Sequence, residues 1–115
     1  MMHFPDLLWM AEIICQEQGG HVSFFKNEEE LEAYKAATNG RKEWLGIVRI
    51  NENQWFTMER NEITVSDWKD GEPNDFNDIE DCVETNHFGW NDQRCDNANL
   101  FSCRIETTVP FNQEC

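Results

Sequence analysis

The N-terminal part of the chain carries apolar residues at the spacing of a helix. Over residues 5–18, one face of such a helix collects the less polar side chains. Pro5 suits the first helical position, Asp6 suits the first turn, and the glycines at 19 and 20 end the pattern. We therefore predict a helix over residues 5–18 with this face toward the core. The residues on the face are Leu7, Leu8, Ala11, Ile14, Cys15 and Gln18.

A second helix is predicted after a short extended segment. The segment "HVSFF", residues 21–25, is typical of a short strand. Asn27 then supplies a helix cap, and the glutamates at 28–30 stand at the positive end of the helix dipole. The pair at positions 39 and 40, Asn-Gly, ends the helix. Its predicted buried stripe consists of Leu31, Tyr34 and Thr38.

Beyond Arg41 the pattern changes from helical to strand-like. The segments "EWLGIVRI" (43–50) and "WFTM" (55–58) are typical of strands, and "LFSCRIE" (100–106) is a closing strand. Between residues 61 and 99 most residues are Asn, Asp, Glu or Gly, which predicts a long loop-rich segment. These elements predict an α+β fold. Loops of this length in a small domain are normally functional or held by crosslinks.

The composition indicates one folded domain with an acidic surface. Of the 115 residues, 39% are hydrophobic and 12% aromatic, which is enough for a packed core, and we predict a single domain over residues 1–115. The formal net charge of −14 is unsuited to nucleic acid or anionic membranes, because both are bound through Lys and Arg. No apolar run has the length of a membrane span, so we expect no membrane insertion.

The five cysteines are a high count for this length. No CxxC pair or Cys/His series indicates a structural zinc site. The cysteines are either free thiols of a reducing compartment or two disulfides with one odd cysteine. The second interpretation is favoured and implies a secreted or extracellular protein, although no export signal is visible in this chain. Sequence alone leaves the pairing open.

The segment "GEPNDFNDIEDCVE" (71–84) holds six carboxylates in fourteen residues. It is a solvated acidic loop, an EF-hand, or part of a calcium site assembled from two loop segments. The EF-hand fails, because Glu80 stands where that loop requires glycine and Asn86 where it requires glutamate. Carboxylate and amide oxygens are the ligands that a hard cation prefers. The residues able to supply them are Glu72, Asn74, Glu80, Asn91 and Asp92.

Five short motifs give a specific resemblance to a known family. "WLGI", "EPN", "EDCVE", "GWNDQRC" and "FSCRIE" occur in the order and approximate spacing of a C-type lectin domain. "AEIICQEQGGHVSF" and "NEEELEAY" resemble its first helix, first strand and second helix. The resemblance covers about residues 5–106 and leaves 107–115 as a tail. It implies a C-type lectin-like fold, in which two helices flank small antiparallel sheets with long metal-binding loops, here without the usual N-terminal strand.

The resemblance also implies the crosslinks and the metal ligands. It pairs Cys15 with Cys103 and Cys82 with Cys95. It makes Pro73 a cis proline that turns both neighbouring side chains toward the metal. The implied calcium ligands are Glu72, Asn74, Glu80, Asn91 and Asp92, all present in this chain.

A sugar-binding mechanism follows from the same resemblance. Two neighbouring sugar hydroxyls replace waters on the ion, and each also donates to a carboxylate and accepts from an asparagine amide. Glu72 and Asn74 form one acceptor–donor pair. Glu80 and Asn91 form the other. In the family, EPN accompanies mannose-type sugars (mannose, fucose, glucose, GlcNAc) and QPD accompanies galactose. The implied function is innate-immune-type recognition of mannose-type glycans on microbial or glycoprotein surfaces.

The metal region departs from the family pattern at one position. Some members hold a second, auxiliary calcium, to which Asp75, Glu80 and Asp81 would contribute here. Arg49 stands where an earlier acidic ligand is expected, and only Glu52 lies nearby. We therefore expect this second site to be absent or weak.

The ends of the chain depart from the pattern as well. The chain starts almost at the first helix, so the closing strand lacks its usual neighbour and leaves a sheet edge open. The tail or a second subunit would cover this edge. Cys115 is then either a free thiol or an intersubunit disulfide of a homodimer, which would strengthen weak single-site binding through effective concentration.

Three features leave room for other interpretations. His87 is an ordinary loop histidine or a nitrogen ligand that would let zinc compete with calcium. A lectin-like domain can bind a protein partner instead when its metal ligands are lost, but here they are retained. An enzyme is not expected, because the sequence has no GxSxG, HExxH, P-loop or Cys/His dyad signature.

Overall fold

A computed structural model describes residues 7–51, 53–74 and 80–105. This part of the chain confirms the predicted α+β fold of two helices and small, mainly antiparallel sheets. In chain order the elements are α1 (Leu7–Glu17), β1 (Gly20–Val22), α2 (Glu28–Thr38), β2 (Glu43–Asn51), β3 (Gln54–Thr57), β4 (Cys82–Asn86), β5 (Gly89–Gln93), β6 (Leu100–Phe101) and β7 (Cys103–Ile105).

Helix α1 follows the prediction with two corrections. Ile14 and Gln18 are exposed, whereas Glu12 is buried. The Glu12 carboxylate can be buried because it accepts a hydrogen bond from the Val22 backbone N–H at 2.9 Å and lies 2.6 Å from Nδ1 of His21. An apolar pattern cannot reveal a buried glutamate whose partners come from the next strand. The predicted residues that are buried are Leu8, Ala11 and Cys15.

Helix α2 begins and ends where the sequence predicts. The Asn27 side chain accepts a hydrogen bond from the Glu30 N–H at 2.9 Å, and Glu30 in return accepts one from the Lys26 N–H at 2.8 Å. This reciprocal cap satisfies two backbone donors at the start of the helix. Asn39 adopts the left-handed conformation (φ 52°) that ends the helix. Leu31 is buried as predicted.

The strands form two sheets. β1 and β7 pair as an antiparallel ribbon, while the larger sheet has the order β3-β2-β4-β5, with β6 parallel to the start of β2. The predicted closing strand is divided at Ser102, whose hydroxyl donates to the buried Glu43 carboxylate at 2.9 Å. Among the described residues β7 pairs with β1 alone. The tail and Cys115, expected at its other edge, lie outside those residues.

Strands β4 and β5 correct the prediction that residues 61–99 are mostly loop. Polar residues are buried in both strands and hide the alternation of apolar and polar positions that marks a strand. Glu84 is an example: its carboxylate is buried but accepts a hydrogen bond from the Asn99 side chain at 3.0 Å. The buried polar residues of the two strands are Glu84, Thr85 and Asp92.

The core consists of two clusters of buried aromatic and aliphatic side chains, and two disulfides crosslink the elements around them. Trp44 and Trp90 are both buried, and Trp68 packs edge-on against Trp90 with ring centres 5.5 Å apart. The disulfide Cys15–Cys103 ties α1 to β7, and Cys82–Cys95 ties the start of β4 to the segment after β5. Closing such loops contributes about 3–5 kcal/mol each in chain-entropy models. The pairing is the one that the resemblance implies.

Asn27→Ala is expected to lower the free energy of unfolding by about 1 kcal/mol, because the first turn of α2 loses its side-chain acceptor. Equilibrium denaturation in urea measures the difference. Asn27→Asp retains an acceptor and is the matched control, for which we expect a much smaller loss. Equal losses in the two variants would show that the cap does not stabilise the protein.

Candidate metal centre

The loop before the acidic segment is fixed to β5 by backbone hydrogen bonds. The Trp90 N–H donates to the Asp67 carbonyl at 2.8 Å, and the Lys69 N–H donates to the Trp90 carbonyl at 2.9 Å. Gly89 permits this approach, since a Cβ there would lie 2.6 Å from the Asp67 carbonyl oxygen and its φ of 120° disfavours other residues. The chain that carries Glu72 therefore starts from a rigid contact beside β5.

Glu72 and Asn74 then reach the strand residue Asp92. The Glu72 N–H donates to the Lys69 carbonyl at 2.9 Å, and the peptide bond between Glu72 and Pro73 is cis. The Asn74 backbone N–H donates to Oδ1 of Asp92 at 2.9 Å. This contact joins the EPN segment directly to the "WND" segment, 18 residues later in the chain.

Asp92 is the buried centre of the group. Its side chain has no solvent exposure, and it faces Val83 across the β4–β5 pair. The disulfide Cys82–Cys95 joins the start of β4 to the segment just after β5, with Cα atoms 5.1 Å apart. A carboxylate in such a position is costly unless charge and hydrogen bonds compensate it.

Glu72 lies in a strongly negative environment. Burial raises the pKa of its carboxyl group above the ordinary value, and neighbouring Asp92 raises it further through a hydrogen bond and through its charge. Glu80 adds a smaller effect of the same sign, while Lys69 opposes it. Oε1 of Glu72 is buried and has no hydrogen-bond partner among the described residues. A positive ion beside Glu72 and Asp92 would offset the negative charge around Glu72 and would give Oε1 a partner.

Glu80 lies two residues before the start of β4. It is half-buried, and its carbonyl oxygen accepts a hydrogen bond from the Arg49 guanidinium at 3.1 Å. The same guanidinium contacts Asp92 at 3.1 Å and Asp81 at 3.2 Å. Asp81, which the resemblance offers to an auxiliary calcium, is thus paired with Arg49. Asp75 lies outside the described residues.

Asn91 is placed less directly than the other four candidates. It is half-buried in β5, opposite Glu84, and its side chain makes no hydrogen bond to a described residue. Across the described ranges, no three His, Cys, Asp or Glu side chains form a metal-binding cluster. The contacts therefore join Glu72, Asn74, Glu80 and Asp92, and Asn91 is adjacent through the chain.

His87 is directed away from this group. It lies in the turn between β4 and β5, where its ring packs on Gly40 after the end of α2. A cavity of about 170 Å³ there is lined by residues of α2, by residues 39–41 after it, and by Thr85 and His87. The structure gives no support to a nitrogen ligand from His87.

Arg49 is a residue of the candidate site that the sequence did not predict, since the sequence presents it only as a departure at an expected acidic position. A signal is nevertheless present, because a lone arginine interrupts the apolar segment "WLGIVRI" in a chain whose acidic segment requires positive charge. A charged side chain that is 11% exposed in a strand requires such a partner.

Comparison with known proteins identifies the family. A family model of the lectin C-type domain matches residues 6–105. The chain belongs to the C-type lectin domain family. Relatives include CD209 antigen-like protein 2 of Macaca mulatta, 33% identical over 96 residues, and Collectin-11 of Danio rerio, 32% identical over 102 residues. The matches cover 78% and 84% of this chain, but only 37% and 38% of those longer relatives.

Solved structures of the family have the same fold. The mouse scavenger receptor C-type lectin carbohydrate-recognition domain is 26% identical, with a TM-score of 0.77, over 89% of this chain and 92% of that one. The cow CD23 domain, solved in the presence of a GlcNAc2Man3 oligosaccharide, is 28% identical, with a TM-score of 0.74, over 87% and 81% of the two chains.

None of the described helices is long and apolar enough to cross a membrane.

The residues present fit the calcium that this family usually binds. The donor set consists of carboxylate and amide oxygens, and one buried carboxylate oxygen of Glu72 has no partner among the described residues. Asp92 remains able to accept further contacts, since each carboxylate oxygen has two lone pairs. Glu72 and Asp92 would hold the ion most directly.

Calcium is expected to raise the unfolding temperature of the protein, because an ion that binds only the folded state stabilises it. Glu72→Gln keeps the size of the side chain but removes its charge, and we expect calcium affinity to fall by about tenfold or more. Isothermal titration calorimetry and thermal melts measure the two effects. The matched control is Glu62→Gln, an exposed glutamate outside the group. An equal loss in both variants would contradict the assignment.

Proposed function

We propose that this chain is a calcium-dependent carbohydrate-binding domain for mannose-type glycans. Family membership supports calcium-dependent sugar binding in general. The observation that carries the proposal is the buried Oε1 of Glu72, which has no partner among the described residues and lies beside the buried Asp92 carboxylate. A local excess of negative charge of this kind is stabilised by a divalent cation. The proposed ligands of the cation are Glu72, Asn74, Glu80, Asn91 and Asp92.

The side chains of these residues have complementary roles toward a sugar. When bound, calcium supplies coordination positions that two adjacent sugar hydroxyls can fill. Carboxylates can only accept hydrogen bonds, so Glu72 and Glu80 would accept from the hydroxyl protons. Amide NH₂ groups donate, so Asn74 and Asn91 would donate to the hydroxyl oxygens. The order of acceptors and donors around the ion then determines which pair of hydroxyls fits.

The EPN order supports mannose, fucose, glucose or GlcNAc as the sugar class. Glu72 precedes Asn74 in this chain, which is the arrangement that the family uses for mannose-type sugars. The related cow CD23 domain was solved with a GlcNAc2Man3 oligosaccharide, which contains mannose. We infer that the natural partners are glycans on microbial or glycoprotein surfaces.

The cellular setting is inferred from the crosslinks. Both disulfides involve cysteines that lie in or beside the core, which suits an oxidising, extracellular environment. We propose a secreted protein active in innate immune recognition. A homodimer linked through Cys115 belongs to the same proposal, since two sites on one particle increase the avidity for a glycan surface.

Zinc in place of calcium, and a protein in place of a glycan, are the competing proposals. Neither is favoured by a contact in the described residues. Zinc prefers nitrogen and sulfur ligands, whereas the candidate donors are all oxygens. A protein partner would not require the EPN and WND residues that this chain retains.

Mannose-agarose is expected to retain the protein in calcium, and a chelator should elute it. Acid should elute it as well, because protonated carboxylates no longer bind the ion. Affinity chromatography with galactose-agarose as the control resin measures the selectivity. Retention that is unchanged by the chelator or by mildly acidic buffer would refute the calcium mechanism.

The double variant Glu72→Gln with Asn74→Asp is expected to shift the preference from mannose toward galactose. The variant exchanges an acceptor and a donor while it conserves net charge, so the effect isolates hydrogen-bond direction. Competition with free sugars on a glycan surface gives the ratio of affinities. Asn61→Asp with Glu62→Gln makes the same exchange at two exposed positions and serves as control. An unaltered ratio would show that EPN does not select the sugar.

A further inference from the structure

In the described part of the chain, Arg49 is the one basic residue of the larger sheet whose side chain contacts the acidic residues of the candidate site. It lies in β2 and is 11% exposed. Its Nη2 contacts Oδ2 of Asp92 at 3.1 Å and the Glu80 carbonyl oxygen at 3.1 Å, and its Nε contacts Oδ1 of Asp81 at 3.2 Å. The guanidinium carbon lies 4.4 Å from the centre of the Trp55 ring, which supports it from the other side.

These contacts connect three chain segments through one positive charge. β2 carries the guanidinium, the segment just before β4 carries Glu80 and Asp81, and β5 carries Asp92. The Arg49 backbone N–H adds a hydrogen bond of 2.9 Å to the Asp81 carbonyl. A planar guanidinium with five donors suits this arrangement. The ammonium of lysine has three donors on a single nitrogen and cannot contact these acceptors in the same geometry.

The group needs such a charge even without metal. Asp92 is fully buried, and an ionised carboxylate in that position is strongly unfavourable without a counter-ion. The Asn74 N–H supplies one hydrogen bond but no full charge. Arg49 supplies a full positive charge, and it contacts Oδ2 of Asp92, the oxygen that Asn74 does not contact.

We propose that the Arg49 guanidinium is the resident cation of this site. It holds Asp92, Asp81 and the Glu80 carbonyl in place in the metal-free protein, so that a single added ion completes the site and no auxiliary ion is needed. Arg49 is thus a positioning residue, which acts on the ion and the sugar through Asp92 and Glu80. The part of this inference that concerns the added ion rests on the proposed function, whereas the metal-free role of Arg49 does not.

A charge-coupling experiment in chelator tests the metal-free role. Arg49→Met keeps the apolar stem over Trp55 but leaves Asp92 without its cation, and we expect the unfolding temperature to fall by at least about 5 °C. Asp92→Asn removes the charge that needs compensation, so Arg49→Met should cost much less in that background. Arg49→Lys keeps the charge and should lie between Met and the wild type. The matched control is Arg94→Met, which removes an exposed arginine paired with Asp96.

The outcomes separate a resident cation from simple packing. The proposal is overturned if Arg49→Met costs the same in the wild-type and the Asp92→Asn backgrounds, or no more than Arg94→Met. Calcium titration of the wild type tests the second part: one ion per chain is expected, and two would overturn it. A chain that takes up no calcium would refute the proposed function, while the chelator experiment would still decide the role of Arg49.

Discussion

The buried carboxylate of Asp92 is the constraint on which the rest of the site depends. It has no solvent exposure, yet it remains in a region crowded with other acids. One oxygen of Asp92 accepts a hydrogen bond from the Asn74 N–H, and the other contacts the Arg49 side chain. The EPN segment and strand β2 therefore both contact this side chain. Loss of the Arg49 contact would remove a compensating positive charge from a buried carboxylate, which is costly in a small domain.

Aromatic packing and a disulfide anchor the loops that carry this arrangement. Trp68 packs between Trp55 and Trp90, with ring centres 5.0 and 5.5 Å away, and so anchors the long segment before the site in the core. The disulfide Cys82–Cys95 joins the start of β4, two residues after Glu80, to the segment that follows β5, the strand of Asp92. Ordering a long loop costs conformational entropy. Aromatic packing and covalent closure offset that cost where no regular structure can.

The sequence predicts an element well when the residues that determine the element are close to one another in the chain. Helix α2 is set by its own cap and terminal residues, so its bounds follow from the sequence. Ile14 was predicted to be buried and is exposed, whereas Glu12 is buried. The pattern of apolar residues could not predict this, because Glu12 accepts a hydrogen bond from the Val22 N–H outside the helix. Strands β4 and β5 were missed because several of their buried residues are polar, such as Glu84, which accepts a hydrogen bond from the Asn99 side chain. The candidate ligands were indicated by the oxygen donors in and near the acidic segment and by the family motifs, not by periodicity. The role of Arg49 required the three-dimensional contacts.

The distribution of hydrogen bonds indicates where an incoming ion gains most. Both oxygens of Asp92 already have partners, so a cation beside it adds to an arrangement that is partly compensated. Oε1 of Glu72 has none among the described residues, and burial together with the neighbouring acids raises the pKa of its carboxyl group. An ion therefore stabilises the Glu72 carboxylate more than that of Asp92, since the first is deficient in positive charge and the second is not. In the proposed site two functions are separate: Arg49 and Asp92 would preserve the arrangement of the ligands, and Glu72 would supply the negative charge that a metal ion compensates.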